Sequence, residues 1–288
     1  MYAISLLAAP GRLDPALVTS LQTAFGAGSA QWLAPDEAAE FPVVSTPSNF
    51  EEVRVQIAQM GVDLNIVPAT NRKKRLLIAD MDSTMIGQEC IDELADEAGV
   101  GARVADITAR AMNGELDFEA AIDERVGLLK GLPLAVIKSV LETRITLAPG
   151  GETLLKTMKA NGAYAALVSG GFVQFTSAIA ARLGFDENRA NTLLEDGDTL
   201  SGKVQRPILG QEAKVEALND ITARLNITTE DAIAVGDGAN DLAMIHRAGM
   251  GVALHAKPTV AAAAPIKVNH GDLTSLLFLQ GYAKTDFV

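Results

Sequence analysis

Hydrophobic positions along this chain change their spacing at two places. In the first 70 residues, short apolar runs alternate with stretches of helical period. Tyr2 to Leu7 reads as a strand, and Pro15 to Phe25 as a helix that carries Leu17, Leu21 and Ala24 on one face. Ala30 to Leu33 and Phe41 to Val44 read as two more strands, Asn49 to Met60 as a helix, and Val62 to Val67 as a last strand. The order β-α-β-β-α-β predicts a small α+β domain of ferredoxin-like type over residues 1–70. Polar, basic Asn71 to Arg75 predicts a linker.

The next run, Leu76-Leu77-Ile78-Ala79, is short and wholly apolar, as a strand buried on both faces of a parallel sheet would be. Helical spacing then takes over for about sixty residues. Ile91, Leu94, Ala95 and Ala98 form a stripe that stops at Gly99. Val104, Ile107 and Ala111 begin a second helix ending near Asn113-Gly114. Phe118, Ile122, Val126 and Leu129 mark a third, and Pro133 opens a fourth. Four short helices after a single strand predict a cap, inserted at about residues 89–146.

Beyond Ala148-Pro149-Gly150, strands and helices alternate. Tyr164 to Val168, Ala232 to Val235, Gly249 to Ala253 and Ile266 to Val268 read as strands of a parallel sheet. Ala190 to Leu194 and Leu200 to Val204, around Glu195-Asp196-Gly197-Asp198, read as a hairpin. The predicted fold is α/β: a Rossmann-like parallel core with a helical cap over residues 75–288, behind the small N-terminal domain. Gly162 to Ala181 lacks charge and is long enough to span a bilayer. Ser169-Gly170-Gly171 divides it, so strand, glycine turn and helix are expected and no membrane span.

Composition narrows the function classes. The formal charge of −12, from 36 acidic and 24 basic residues, argues against a nucleic-acid binder, which needs a basic footprint. Cys90 is the single cysteine, which excludes an intrachain disulfide and a cysteine metal cage. Met1 to Pro10 lacks the basic start of a signal peptide, and a cytoplasmic setting is expected.

Four polar clusters fall where the predicted strands end or helices begin. Asp80 and Asp82, one residue apart in Asp80-Met81-Asp82-Ser83-Thr84, follow the apolar strand. Two carboxylates held close need a cation, a proton or a polar environment to compensate them. Ser169-Gly170-Gly171 offers a hydroxyl and unencumbered backbone N–H groups to an anion. Lys214 stands near the start of a helix carrying Val215, Leu218, Ile221 and Leu225. Gly236-Asp237-Gly238-Ala239-Asn240-Asp241 follows the strand Ala232 to Val235. Each cluster alone has a bland reading: a helix cap, a turn, a solvated lysine, a loop. Together at one sheet edge they would assemble an acidic metal site, an anion cradle and a cation, which suits phosphoryl transfer.

In order and spacing these clusters resemble the four motifs of the haloacid dehalogenase superfamily. Within it, Glu89 and the segment Phe118 to Leu132 resemble the cap of the phosphoserine phosphatase family. The resemblance covers roughly residues 75 to 280; residues 1–70 are more weakly similar to amino-acid-binding (ACT-type) regulatory domains. It implies Asp80 as nucleophile, forming an aspartyl-phosphate, and Asp82 as general acid and base. It implies Mg²⁺ held by Asp80, the backbone carbonyl of Asp82 and Asp237. Ser169, Gly170 and Lys214 would grip the phosphate, while Asn240 and Asp241 orient the metal waters and Lys214.

For the substrate, the resemblance implies O-phospho-L-serine, hydrolysed in the last step of serine biosynthesis. Glu89 would take its ammonium, Arg125 its carboxylate, Phe118 would close over the site and Met112 would contact the substrate backbone. An amino-acid effector at the N-terminal domain and a homodimer are further expectations. Two other readings stay open: a phosphatase or phosphotransferase for another small phosphate ester, and a metabolite-binding regulator with a silent core.

Overall fold

The computed structural model describes residues 1–112 and 115–288; the side chain of Met112 and residues 113–114, where the second cap helix is expected to end, lie outside the described residues. The chain opens with β1 (Tyr2–Ala8), α1 (Pro15–Ala24), β2 (Gln31–Ala34), β3 (Ala38–Val43), α2 (Phe50–Ala58) and β4 (Val62–Pro68). These strands form an antiparallel sheet in the order β2-β3-β1-β4, the ferredoxin-like arrangement expected from the sequence. Ile4, Leu6, Phe41 and Leu64 from its strands pack with Val18, Leu21, Phe50 and Ile57 of the two helices as one apolar cluster.

Next come β5 (Leu76–Ala79), the cap helices α3 (Cys90–Glu97), α4 (Gly101–Met112), α5 (Phe118–Gly127) and α6 (Ala135–Thr143), then α7 (Gly151–Ala160) and β6 (Tyr164–Phe172). The chain continues through α8 (Val173–Leu183), β7 (Glu187–Asn191), β8 (Leu193–Asp196), β9 (Thr199–Val204), α9 (Gln211–Arg224), β10 (Ala232–Gly236), α10 (Leu242–Arg247), β11 (Met250–Leu254), α11 (Pro258–Ala263), β12 (Ile266–Val268) and α12 (Ser275–Leu279). Six parallel strands make the main sheet, in the order β12-β11-β10-β5-β6-β7. All four residues of β5 are buried, Leu77 and Ala79 on one face and Leu76 and Ile78 on the other. That double burial is why the strand reads as an unbroken apolar run.

From β5 the chain winds to one side through β6 and β7, then returns to the other side for β10, β11 and β12. The order therefore reverses at β5 and β10, and a crevice for ligands opens above their carboxyl ends. No described helix is long and apolar enough to cross a membrane. The uncharged stretch from Gly162 divides into the expected strand and helix, β6 and α8, without the expected turn between them.

Two expectations need correction. Residues 190–194 are not one arm of a hairpin: Ala190 and Asn191 end β7, the edge strand of the main sheet, and the hairpin is β8 with β9. The sequence Glu187-Asn188-Arg189-Ala190-Asn191 carries no apolar run, because this edge strand is only half-buried. Secondly, β6 does not stop at Val168; it continues through Ser169-Gly170-Gly171 to Phe172, with a register shift between Val168 and Phe172. The two glycines make an irregular strand rather than a turn.

The N-terminal sheet is fastened to the main sheet by buried polar contacts. The Asn65 side-chain amide on β4 donates to Lys267 O at 2.8 Å and its oxygen accepts from Lys267 N–H at 3.0 Å, so it pairs with the free edge of β12 as another strand would. Arg54 donates to the same Asn65 oxygen at 2.8 Å, and the Asp63 carboxylate accepts from the N–H groups of Asn269 and His270 at 2.8 and 2.9 Å. Asn65→Ala strands several buried groups at once, each worth about 1–3 kcal/mol when left unpaired. We expect a loss of about 2–3 kcal/mol on that basis, read as a lowered thermal midpoint of the whole chain. An unshifted melt would show that water replaces the amide at no cost.

Candidate active site

Asp80 follows β5 directly, and its N–H donates to Val235 O at 3.0 Å, so the strand pairing continues up to the carboxylate. Its Oδ1 lies 2.6 Å from the ammonium of Lys214, which also donates to Asp241 Oδ1 at 2.5 Å. Lys214 sits in the first turn of α9 but is only 1% exposed, the opposite of the solvated lysine that base rates favour. Burial opposes its charge, yet the flanking Asp80 and Asp241 carboxylates outweigh this and hold the ammonium protonated. Asp80 is pushed well above the ordinary carboxyl range by burial and by Asp241, with Lys214 pulling the other way. One ammonium does not neutralise two buried carboxylates.

Asp237 adds to that excess. Carboxylate oxygens of Asp80, Asp237 and Asp241 all lie within 4.8 Å of one another. Burial and the neighbouring Asp241 raise Asp237 to about 6. Crowded, desolvated, all-oxygen and short of positive charge, this donor set fits a hard divalent cation. Asp241 also caps the turn below it, accepting from Gly238 N–H at 3.0 Å. A Cβ at Gly236 would stand 2.3 Å from the Asp241 carboxyl carbon, which explains the glycine there.

Asp82 lines the same cavity and is held by the cap. Its Oδ1 accepts from the N–H of Cys90, the first residue of α3, at 3.2 Å. Burial, then the nearby Glu89 carboxylate, raise Asp82 to about 7. A carboxyl group so poised can give up a proton and take it back near neutrality. On its other side a Cβ at Gly171 would fall 2.6 Å from Asp82 Oδ2, so the irregular end of β6 must be glycine to admit this side chain.

Across the crevice, Ser169 is buried, and its Oγ accepts from Gly171 N–H at 2.9 Å. Asn191 of β7 braces the same segment, donating to Gly170 O at 2.8 Å and accepting from Leu209 N–H at 2.7 Å. Phe118 opens α5 behind the N-cap Asp117, whose carboxylate accepts from Ala120 N–H at 2.7 Å. Phe118 is 39% exposed, and its ring reaches over the core: a Cβ at Gly170 would lie 3.5 Å from it and 4.0 Å from Asn240 Nδ2. Phe118 is therefore not a core residue of the cap.

Between cap and core lies a cavity of about 380 Å³, into which Asp80, Asp82, Glu89, Phe118, Arg125, Ser169, Gly170, Asp237 and Asn240 all face. Of the other predicted residues, Lys214 and Asp241 lie buried beneath it, and the Met112 side chain lies outside the described residues. Glu89 is oriented by Ser83, whose hydroxyl donates to Glu89 Oε1 at 2.7 Å from a backbone with φ of +55°. A non-glycine residue in that region marks strain kept at a functional loop. Arg125 donates Nε–H to Ala121 O at 3.2 Å, which leaves the rest of its guanidinium fork for a ligand.

Ser83, Asn191 and Lys257 lie at the site without being among the residues expected from the sequence. Ser83 stands inside the Asp80 motif and six residues before Glu89, a visible signal. Asn191 and Lys257 enter the site only through the tertiary fold.

A capped parallel sheet with an acidic cluster beside a buried lysine defines a phosphoryl-transfer type of hydrolase. The family profile of haloacid dehalogenase-like hydrolases matches residues 77–246, and the chain belongs to this family. It is 43% identical to a Streptococcus thermophilus phosphoserine phosphatase over 71% of this chain and 94% of that one. With a Streptomyces coelicolor phosphoserine phosphatase it shares 40% identity over 88% of its own length; the chain spans 62% of that relative. Among solved structures, a haloacid dehalogenase-family hydrolase of Salmonella enterica serovar Typhi superposes with a TM-score of 0.88 at 35% identity, covering 97% of this chain and 98% of that one. A phosphoserine phosphatase captured as a phospho-aspartyl intermediate analogue superposes with a TM-score of 0.67 at 41% identity, over 71% of this chain and 98% of that one.

Proposed function

We propose that this protein is a phosphoserine phosphatase, hydrolysing O-phospho-L-serine to L-serine and phosphate through an aspartyl-phosphate on Asp80. The observation that carries the reading is the division of labour between its two motif aspartates. Asp80 is drawn into the metal-type cluster with Lys214, while Asp82 faces the cap with a carboxyl group poised near neutrality.

In the first half-reaction a carboxylate oxygen of Asp80 attacks phosphorus, the P–O bond to serine breaks, and Asp82 passes its proton to the departing serine oxygen. In the second, Asp82 takes a proton from water, whose oxygen attacks phosphorus and releases phosphate, restoring the Asp80 carboxylate. Ser169 and the Gly170 N–H hold the non-bridging oxygens, and Lys214 balances charge on the group in transfer. Asp80, Asp237 and the Asp82 backbone carbonyl would hold Mg²⁺, with Asp241 fixing Lys214 and the turn beneath. When bound, the ion supplies positive charge that lets a phosphate dianion approach two carboxylates.

Cap chemistry supports an amino-acid ester over a generic phosphate. Glu89, anchored by Ser83, matches an ammonium, and the Arg125 fork matches a carboxylate. Arg125→Ala should raise the KM for phosphoserine by about 10- to 100-fold, the value of a charge-assisted pair of about 1.5–3 kcal/mol. Hydrolysis of an aryl phosphate, which has no carboxylate, should change little. Parallel losses on both substrates would refute the clamp. Mg²⁺-dependent phosphate release from phosphoserine tests the whole reading, and its absence would favour a silent core.

A further inference from the structure

The charges assigned so far leave the substrate phosphate under-compensated. Lys214 bears on the phosphate but shares its single charge with Asp80 and Asp241, both of which it touches. One divalent cation together with Lys214 cancels the Asp80, Asp237 and Asp241 carboxylates and leaves nothing over. Glu89 and Arg125 are occupied by the ammonium and carboxylate of the amino acid. A phosphate dianion therefore arrives at a neutral floor, in a chain whose net charge is −12.

Among the described residues, Lys257 is the remaining cation that lines the cavity, with Asp237 and Asn240. Its side chain is exposed, and its ammonium forms no ion pair with any described residue. Its root, by contrast, is fixed. The Lys257 N–H donates to Asp237 O at 3.3 Å, and Pro258 follows at the first position of α11. Two residues earlier His255 turns the chain with φ of +45° while its N–H donates to Val268 O at 2.8 Å. This turn places a flexible four-carbon tether at the edge of the cavity, beside an aspartate of the acidic cluster. Lysine suits this as a compact point charge that can follow an anion inward.

We propose that Lys257 recruits the phosphate group of the substrate and stays on its non-bridging oxygens at the Asp237 side of the cavity. The inference rests on the phosphatase reading above, deepens it, and adds a binding residue that lies outside the motifs. Its test is to measure phosphoserine kinetics across ionic strength, and inorganic phosphate binding by calorimetry with Mg²⁺ present, for wild type, Lys257→Ala, Lys257→Arg and Lys257→Glu.

For Lys257→Ala, kcat/KM should fall about tenfold at low salt, mostly through KM, with phosphate affinity weakened by a like factor. Arginine should restore most of the loss and glutamate should deepen it. The gap should narrow between 0.01 M and 0.15 M salt, as screening shortens from about 30 Å to about 8 Å. Unchanged phosphate affinity in Lys257→Ala overturns the proposal, as does a loss confined to kcat. If wild type proves inactive on phosphoserine while Lys257→Ala still weakens phosphate binding, the substrate reading fails and the assignment of Lys257 stands.

Discussion

Replacing Asp80 by asparagine should abolish turnover while leaving the protein as stable as before, or more so. Removing a nucleophile that acts with its partners as a unit costs on the order of 10⁴-fold or more in rate. Stability should move the other way for an electrostatic reason. Asp80 is a buried carboxylate raised by desolvation and by Asp241, so its ionised form is a burden on the fold. The amide has nearly the same shape and no charge, and Lys214 keeps Asp241 as a partner. A phosphate-release assay and a thermal melt on the same preparation decide the matter. Turnover near wild type would end the covalent mechanism, and a collapse of the melt would make Asp80 a structural residue first.

Asp82→Asn is the second large effect, and it separates the two half-reactions. General acid–base catalysis contributes about 10²–10⁴-fold, so phosphoserine hydrolysis should fall by that factor. An aryl phosphate carries a leaving group that needs no proton. With that substrate the variant should still phosphorylate Asp80 and then stall, because nothing deprotonates the attacking water. The expected signature is a burst of aryl alcohol followed by accumulated acid-labile phosphoprotein. Equal slowing of burst and steady state would remove Asp82 from the proton path.

The same residue ties stability to pH in the metal-free protein. With its folded value raised to about 7, Asp82 keeps its proton between about pH 4 and 7, where an unfolded carboxyl has lost it. The native state binds the extra proton, so this contribution is fully present at low pH and is lost as pH rises through 7. Asp237, raised to about 6, acts in the same direction over a lower window. Denaturant titrations in chelator should therefore show stability declining across that range, with a shallower decline in Asp82→Asn. A slope unaffected by the substitution would assign the dependence to other groups.

Much of this architecture is legible because burial and period coincide. The strand Leu76–Ala79 is buried on both faces and reads as a plain apolar run, and the cap stripe Ile91, Leu94 and Ala95 is buried as its spacing implies. Legibility fails where structure is held by polar atoms. Strand Glu187–Asn191 lies at the sheet edge and has no apolar signature. The irregular strand end at Ser169-Gly170-Gly171 resembles a turn until the Asp82 carboxylate beside Gly171 is seen. Candidate residues within motifs, such as Asp80 and Asp237, which the fold brings together, stand out one by one. Lys257 does not, because its relation to Asp237 depends on the neighbouring strand β11 and the loop behind it.

The hairpin β8–β9 has a consequence for recombining such enzymes. The cap insertion leaves and re-enters the core at one point, where Ile86 bridges Leu147. That bridge invites exchange of the whole cap as a cassette. The hairpin, however, is bonded to the cap: Gly131 N–H donates to Leu200 O at 2.8 Å, Leu200 N–H to Leu132 O at 2.9 Å, and Leu134 N–H to Asp198 O at 2.9 Å. Arg206, just beyond the hairpin, grips Glu119 and Asp123 of α5. The transferable module is thus discontinuous in sequence. A graft that carries the helices and leaves the hairpin behind breaks these backbone bonds and the Arg206 ion pairs at its junction, and a chimera would need both segments from one parent.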